Sequence, residues 1–301
     1  MSQTLSPSAN RTYGLARVCR VWHVPRSSVY DARARQAAAA RGEILSPRKR
    51  GPLGACSDED LLGHIQAALE SSPWVGEGHR KVWARLRYEG ICAARRRVLR
   101  VMRENDLLAP QRTGNAHGPK AHDGTIVTEK PDEMWGTDGT AALTGEGNAA
   151  VFFVIDHCTA ECLGIHAALH GNRFEALEPL RQAVRERHGV FAADVADGVS
   201  LRHDHGSQFT SHAYQEEVRF LGIQSSPAYV REPEGNGCAE RFVRTMKEQL
   251  LWLERFETVD ALNEALQDLK TRYNQEWLIE RHGWISPAEK HRQLTASEAA
   301  A

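Results

Sequence analysis

The chain has 301 residues, 41% of them hydrophobic and 26% charged, enough for two or three domains with a sizeable core. No apolar run approaches the roughly 20 residues of a bilayer-spanning helix, the start lacks the basic and apolar regions of a secretory signal, and the six cysteines are scattered. A membrane span and a disulfide framework are therefore not expected, and a soluble cytoplasmic protein is. The net charge of −1 says nothing about a nucleic-acid partner, but its distribution does: residues 1–128 hold 21 Lys+Arg against 11 Asp+Glu, the remainder 17 against 28. A basic first part on an acidic second part fits a DNA-anchoring segment joined to a metal-dependent one. Ordinary solvated helix faces are the alternative.

Residues 1–45 contain a helix-turn-helix pattern over 13–35. Leu15, Val18, Cys19 and Trp22 recur at helical spacing and His23-Val24-Pro25 interrupts. Ser27 or Ser28 then caps a second helix over 29–35. The first residues of such a helix face base edges, which nominates Arg26 and Ser28. An Ala-rich stretch (36–41) and a basic linker (46–52) follow.

A second helical segment covers 57–108. Ser57 and Asp60 form a capping-box signature, and Leu61, Leu62, Ile65, Ala68 and Leu69 share a face. A basic helix containing Arg80 and Lys81 follows. The last helix turns Val98, Leu99, Val101 and Met102 inward and Arg95, Arg96, Arg97, Arg100 and Arg103 largely outward. With little acid interspersed, these guanidinium groups are the strongest DNA-contact candidates. Residues 109–133, rich in Pro and Gly, read as a linker.

From residue 134 the pattern changes to an α/β domain over 134–290, leaving 291–301 as a tail. Strands are expected at 134–143, 149–155, 162–169, 199–203 and 224–226. Helices are expected at 174–187, 211–221, 236–254 and 259–273. This order of three strands, then alternating helices and strands, is that of the ribonuclease-H-like fold: a mixed five-stranded sheet flanked by helices. Here it is preceded by all-α helix-turn-helix segments.

Three acids stand in selective contexts. Asp138 lies mid-strand in Trp135-Gly136-Thr137-Asp138-Gly139-Thr140, where a carboxylate is costly unless paired or metal-bound. Asp204 follows a short strand and precedes His205-Gly206-Ser207-Gln208-Phe209. Glu240 lies near the start of a helix, in Asn236-Gly237-Cys238-Ala239-Glu240, with 35 residues between it and Asp204. Three carboxylates from a strand, a strand end and a helix are what a two-metal phosphoryl-transfer site requires. Lys247 follows Glu240 by seven residues, about 20° short of two turns, with Arg244 between them on the same face. An exposed ion-pair ladder is the alternative for these cations.

With these motifs the chain resembles the DDE transposases of bacterial insertion sequences. More narrowly, it is similar to the catalytic (OrfB) subunit of the insertion-sequence-three family, whose core is like that of retroviral integrase. The family's Trp-x-x-Asp-x-Thr, Asp-x-Gly-Ser-Gln-aromatic-x-Ser and Asn-x-x-x-Glu with a Lys seven residues on are all present. The resemblance implies DNA cleavage and strand transfer at the element's terminal inverted repeats and into target DNA. It implies two Mg²⁺ (or Mn²⁺) ions held by Asp138, Asp204 and Glu240, and DNA contacts from Asn236, Arg244 and Lys247. It also implies homo-oligomers on DNA, an upstream-frame (OrfA) product as subunit or fusion, and a place on the bacterial nucleoid. A non-catalytic DNA-binding remnant that occupies element ends is the alternative function, and a nuclease without strand transfer is another.

Some residues stand apart from this pattern. Asp156, which ends the apolar strand, is left out of the triad. His203 and His205 read as turn residues lining DNA, with a proton shuttle as the alternative. His157, Cys158, Cys162 and His166 read as a hairpin with buried thiols rather than a zinc cluster. Gly139 replaces the family's usual apolar residue and is expected to loosen its strand, Cys238 brings an oxidation liability, and Gly235-Asn236-Gly237 gives the helix a flexible entrance.

Overall fold

The computed structural model describes residues 2–41, 56–110, 126–228 and 236–299. The basic linker expected at 46–52, much of the one at 109–133, and Gly235 at the helix entrance lie outside the described residues. Two compact units divide the chain, Met1–Gly54 and Ala55–Ala301.

In the first unit, residues 22–25 join helix α1 (Leu15–Val21) to α2 (Arg26–Ala40), as the helix-turn-helix pattern predicts. Cys19 and Ala38 are buried, but Trp22 is 61% exposed, so the apolar spacing overstates the inward face of α1. Pro25 occupies the N-cap of α2 with φ −59°, so the helix begins three residues before the expected start and neither serine caps it. Arg26 and Ser28 fall in its first turn, exposed. The helix runs through the Ala-rich stretch because alanine carries the highest helix propensity.

The second unit opens with three helices, α3 (Asp58–Glu70), α4 (His79–Tyr88) and α5 (Arg95–Glu104). The capping box forms: Ser57 Oγ accepts from Asp60 N–H and the Asp60 carboxylate accepts from Ser57 N–H. Three acids in that first turn also suit the helix dipole. Leu61, Ile65, Val82, Leu86, Val98, Val101 and Met102 close a small core.

Beyond it lies a five-stranded sheet of order β3-β2-β1-β4-β5. Strands β1 (Met134–Thr144), β2 (Gly147–Asp156) and β3 (Cys162–Ala168) form an antiparallel meander. Strands β4 (Ser200–His203) and β5 (Gln224–Pro227) run parallel to β1. One face carries α6 (Arg173–His188) and α8 (His212–Phe220), with the short α7 (Ser207–Thr210) beside them. The other face carries α9 (Gly237–Met246) and α10 (Val259–Glu276). Trp135 points into the α6/α8 core and Ala142 into the α9/α10 core. Side chains alternate along a strand, so Asp138, in step with Ala142, faces α9.

The outer edge of β3 is covered by side-chain amides that the sequence pattern did not reveal. Asn263 and Asn274 of α10 each bond both backbone groups of one strand residue, Ala167 and Cys162 respectively, at 2.8–2.9 Å. Gln267 Nε2 donates to the Ile165 carbonyl at 2.8 Å. Unpaired strand edges invite association, and this ladder closes one.

The helical segment packs onto the α/β part. Trp74 meets Trp277 edge-on at 4.9 Å, Tyr88 Oη donates to the Trp284 carbonyl at 2.8 Å, and the Gln249 amide bonds both backbone groups of Val75 at 2.9 Å. The expected tail is helical to residue 299, because α11 (Pro287–Ala299) runs across the 290/291 boundary.

Candidate active site

Asp138 lies at the middle of β1, opposite Phe153, and its half-buried carboxylate accepts from the Gly139 N–H at 2.7 Å. Its carboxyl is pushed up to about 6. Burial is the largest cause and the charges of Asp204 and Glu240 add to it, while the Gly139 N–H and Lys247 act the other way. Asp204 leaves the end of β4, where its Oδ1 accepts from the Gly206 N–H at 2.8 Å and opens the turn into α7. Glu240 lies in the first turn of α9. It is exposed, yet the protein around it still raises its carboxyl, burial being the cause.

The structure therefore brings the three acids into one electrostatic field. Asp138 and Asp204 share an open groove of about 390 Å³, lined also by Thr140, Phe152 and Gln208. The donors are all carboxylate oxygens, which suits a hard divalent cation. Among the described residues no three His, Cys, Asp or Glu side chains stand close enough to hold one ion.

Models of an integrase core domain match residues 128–233 and 221–287, and a helix-turn-helix-like domain model matches residues 57–114. The chain is 29% identical over 245 residues to Transposase InsD for insertion element IS2A/D/F/H/I/K of Escherichia coli, covering 78% of this chain and 79% of that one. The InsD of insertion element IS2-9 of strain K12 matches at the same identity. The chain belongs to the integrase-core transposases of the insertion-sequence-three family. Among solved structures, the catalytic core domain of BIV integrase aligns over 56% of this transposase and 99% of that chain, at 18% identity and TM-score 0.41. A simian T-cell lymphotropic virus intasome structure aligns over 78% and 74%, at 15% identity and TM-score 0.46.

Around the triad the transposase departs from several expectations. Gly139 does not loosen β1, which pairs with β2 along its whole length; a Cβ there would come 2.9 Å from the buried Phe152 ring. Asp156 is fully buried and structural. One oxygen accepts from Thr159 N–H (2.6 Å) and Oγ1 (2.8 Å), the other from Asp132 N–H (2.9 Å), which fixes the β2–β3 turn. His203 is buried, donating through Nδ1 to the Asp204 carbonyl at 2.7 Å and meeting Ser225 Oγ through Nε2 at 2.9 Å. Burial lowers its pKa. His205 Nε2 donates to the Ala228 carbonyl at 2.7 Å. Both rings fasten the strand end, and neither is set up as a shuttle.

His157, Cys158, Cys162 and His166 do not converge. His157 Nδ1 donates to the Ile126 carbonyl at 2.9 Å, His166 pairs with Glu175 at 2.8 Å, and burial pushes Cys158 and Cys162 up to about 11 and about 12. The Cys238 thiol is buried and raised as well, which removes the expected oxidation liability.

The DNA-contact candidates divide. Lys247 begins a π-helical turn (Lys247–Leu251) where α9 was expected to continue, and its charge reaches Asp138. Such turns recur at functional sites. Arg244 is exposed and paired with Glu248 at 3.0 Å. Lys81 is not on an open face: its ammonium lies over the Trp277 ring with its side chain 17% exposed. Asn236 is likewise not at the surface; it is buried, and its Nδ2 donates to the Thr137 carbonyl at 3.1 Å. Arg80 and Arg95 both reach Glu280, at 2.8 and 3.6 Å, and Arg97 and Arg100 share Asp58 at 2.7 Å. Arg96 is exposed and has no ion pair among the described residues. Within α5 Glu104 answers Arg100 at 2.8 Å, and the other acids come from α3 and from residue 280, remote in sequence, which is why α5 read alone looked nearly unopposed.

Proposed function

We propose that this transposase cleaves and joins DNA at the ends of its element through Asp138, Asp204 and Glu240. The observation that carries the reading is Asp138, a strand carboxylate raised to about 6 with two other acids in its field. Such a cluster is unfavourable on its own and favourable around positive charge. Two bound Mg²⁺ or Mn²⁺ ions would activate the attacking oxygen and stabilise the leaving one. Asp138 and Asp204 line the groove, and Glu240 would supply the third carboxylate from α9. Lys247 offers three donors to a DNA phosphate and, protonated, has no lone pair for a metal. Water first frees a 3′-OH at the element end, and that hydroxyl then attacks a second phosphodiester in line.

Binding and chemistry divide along the chain. Residues 1–45 and 57–108 are assigned to DNA binding, with Arg26, Ser28, Arg80, Arg95, Arg96, Arg97 and Arg100 supplying contacts, and the α/β part to the chemistry. The exposed arginine pairs are surface ion pairs, which a phosphate displaces at little cost. The working form is an oligomer on end DNA in the bacterial cytoplasm, with an upstream-frame product as partner. The test is cleavage of a duplex carrying an element end in Mg²⁺ or Mn²⁺. Asp138→Asn, Asp204→Asn and Glu240→Gln are each expected to abolish nicking with folding retained. Wild-type nicking by any of them removes that residue from the site.

A further inference from the structure

Asn236 stands at the N-cap of α9, where an asparagine ordinarily turns its side chain onto the helix's own first N–H groups. This one makes no such cap. Its side chain is spent on β1 instead, the residue being 5% exposed and Nδ2 donating to the Thr137 carbonyl at 3.1 Å. Thr137 is fully buried and pinned in turn to β2, its hydroxyl donating to the Phe153 carbonyl at 2.8 Å. The residue after Thr137 is Asp138. Glu240 follows Asn236 by four positions, in the first turn of the helix that Asn236 opens. The strand makes room for this contact: a Cβ on Gly136 would fall 2.9 Å from Asn236 Oδ1 and 2.7 Å from His157 Nε2.

We propose that Asn236 is a positioning residue, whose amide fixes the first turn of α9, and with it Glu240, against the strand that carries Asp138. The inference rests on the three-acid reading of the site. The bond runs from the helix that bears one acid to the peptide beside another, so losing it changes their separation rather than the stock of DNA contacts. Misplacement of a ligand by about 1 Å costs up to about 100-fold in rate.

The test uses the full chain with Asn236→Ala, Asn236→Asp and Gly136→Ala, and Glu240→Gln as reference. Asp keeps the shape of Asn but has no N–H to donate, so it separates the hydrogen bond from packing and covers a failure of the alanine variant to fold. Four quantities are read: single-turnover cleavage of an end duplex, affinity for that duplex without metal, half-saturation by Mn²⁺ from electron paramagnetic resonance, and Tm. All three variants are expected to cleave about 10- to 100-fold more slowly and to need more Mn²⁺, with end-DNA affinity unchanged. Weakened DNA binding with an unchanged rate at saturation would make Asn236 a DNA contact and overturn the proposal. A lowered Tm with wild-type rate and Mn²⁺ response would make it structural only, and overturn it too. Cleavage by Glu240→Gln at the wild-type rate would instead sink the underlying site, a distinguishable failure.

Discussion

At the scale of single residues, Asp138 sets a pH dependence. Its folded value of about 6 lies above the ordinary 3.8. Between those values the folded chain holds a proton that the unfolded chain has lost. In the absence of divalent cations Asp138 therefore costs nothing below pH 3.8, and stability falls as pH rises through 6. Asp138→Asn removes that cost, so its advantage in urea unfolding grows to about 3 kcal/mol by pH 7 and vanishes near pH 4. A pH-independent difference would show that burial and the neighbouring acids do not act on this carboxyl. Gly139→Ala is expected to destabilise by about 1–3 kcal/mol, because the ring in its way is buried and closely packed. Unfolding of that variant at the wild-type midpoint would contradict the contact with Phe152. The three acids stood out in the sequence by their flanking residues. The role of Gly139 was not, because it depends on which residue of β2 lies opposite, and register is a property of the pair. The burial of Asn236 was hidden for a similar reason: its motif says that it opens a helix, not which way its amide turns.

At the scale of elements, α4 and α5 present their arginines through Glu280 and Asp58. Exposed pairs of this kind contribute roughly 0–1 kcal/mol each. Glu280→Gln should leave the unfolding midpoint almost unchanged while releasing Arg80 and Arg95. End-DNA affinity then rises at low salt and the log K versus log salt slope steepens, since more phosphates are neutralised. An unaltered slope would mean that neither arginine reaches the backbone of DNA. Arg96→Ala is expected to flatten the same slope by about one unit, with the same loss on unrelated sequence. Strand order and most helices were legible from apolar periodicity and turn residues. The π-helical turn at Lys247 was not, because a widened coil leaves the apolar spacing of its neighbours nearly intact. The amide ladder over β3 was also hidden, since Asn263, Gln267 and Asn274 read as ordinary polar positions until the strand edge lies beneath them.

At the scale of the whole molecule, the charge split suggested a cut between a DNA-binding part and a chemical part near residue 128. The packing places a better boundary at 54/55, because Trp74, Val75, Lys81 and Tyr88 hold onto the α/β part. A fragment beginning at residue 55 is expected to melt cooperatively, near the full chain. One beginning at 126 uncovers Trp277 and leaves Gln249 without its backbone partners, and is expected to lose several degrees in Tm and to associate. Equal Tm for the two fragments would contradict the role given to these contacts. Mn²⁺ titration of the full chain on a duplex carrying an element end, followed by electron paramagnetic resonance, tests the three-acid site most directly. Two bound ions per chain are expected for the unaltered protein, with loss of at least one in each of Asp138→Asn, Asp204→Asn and Glu240→Gln. Unchanged stoichiometry and affinity in all three would contradict a shared metal site.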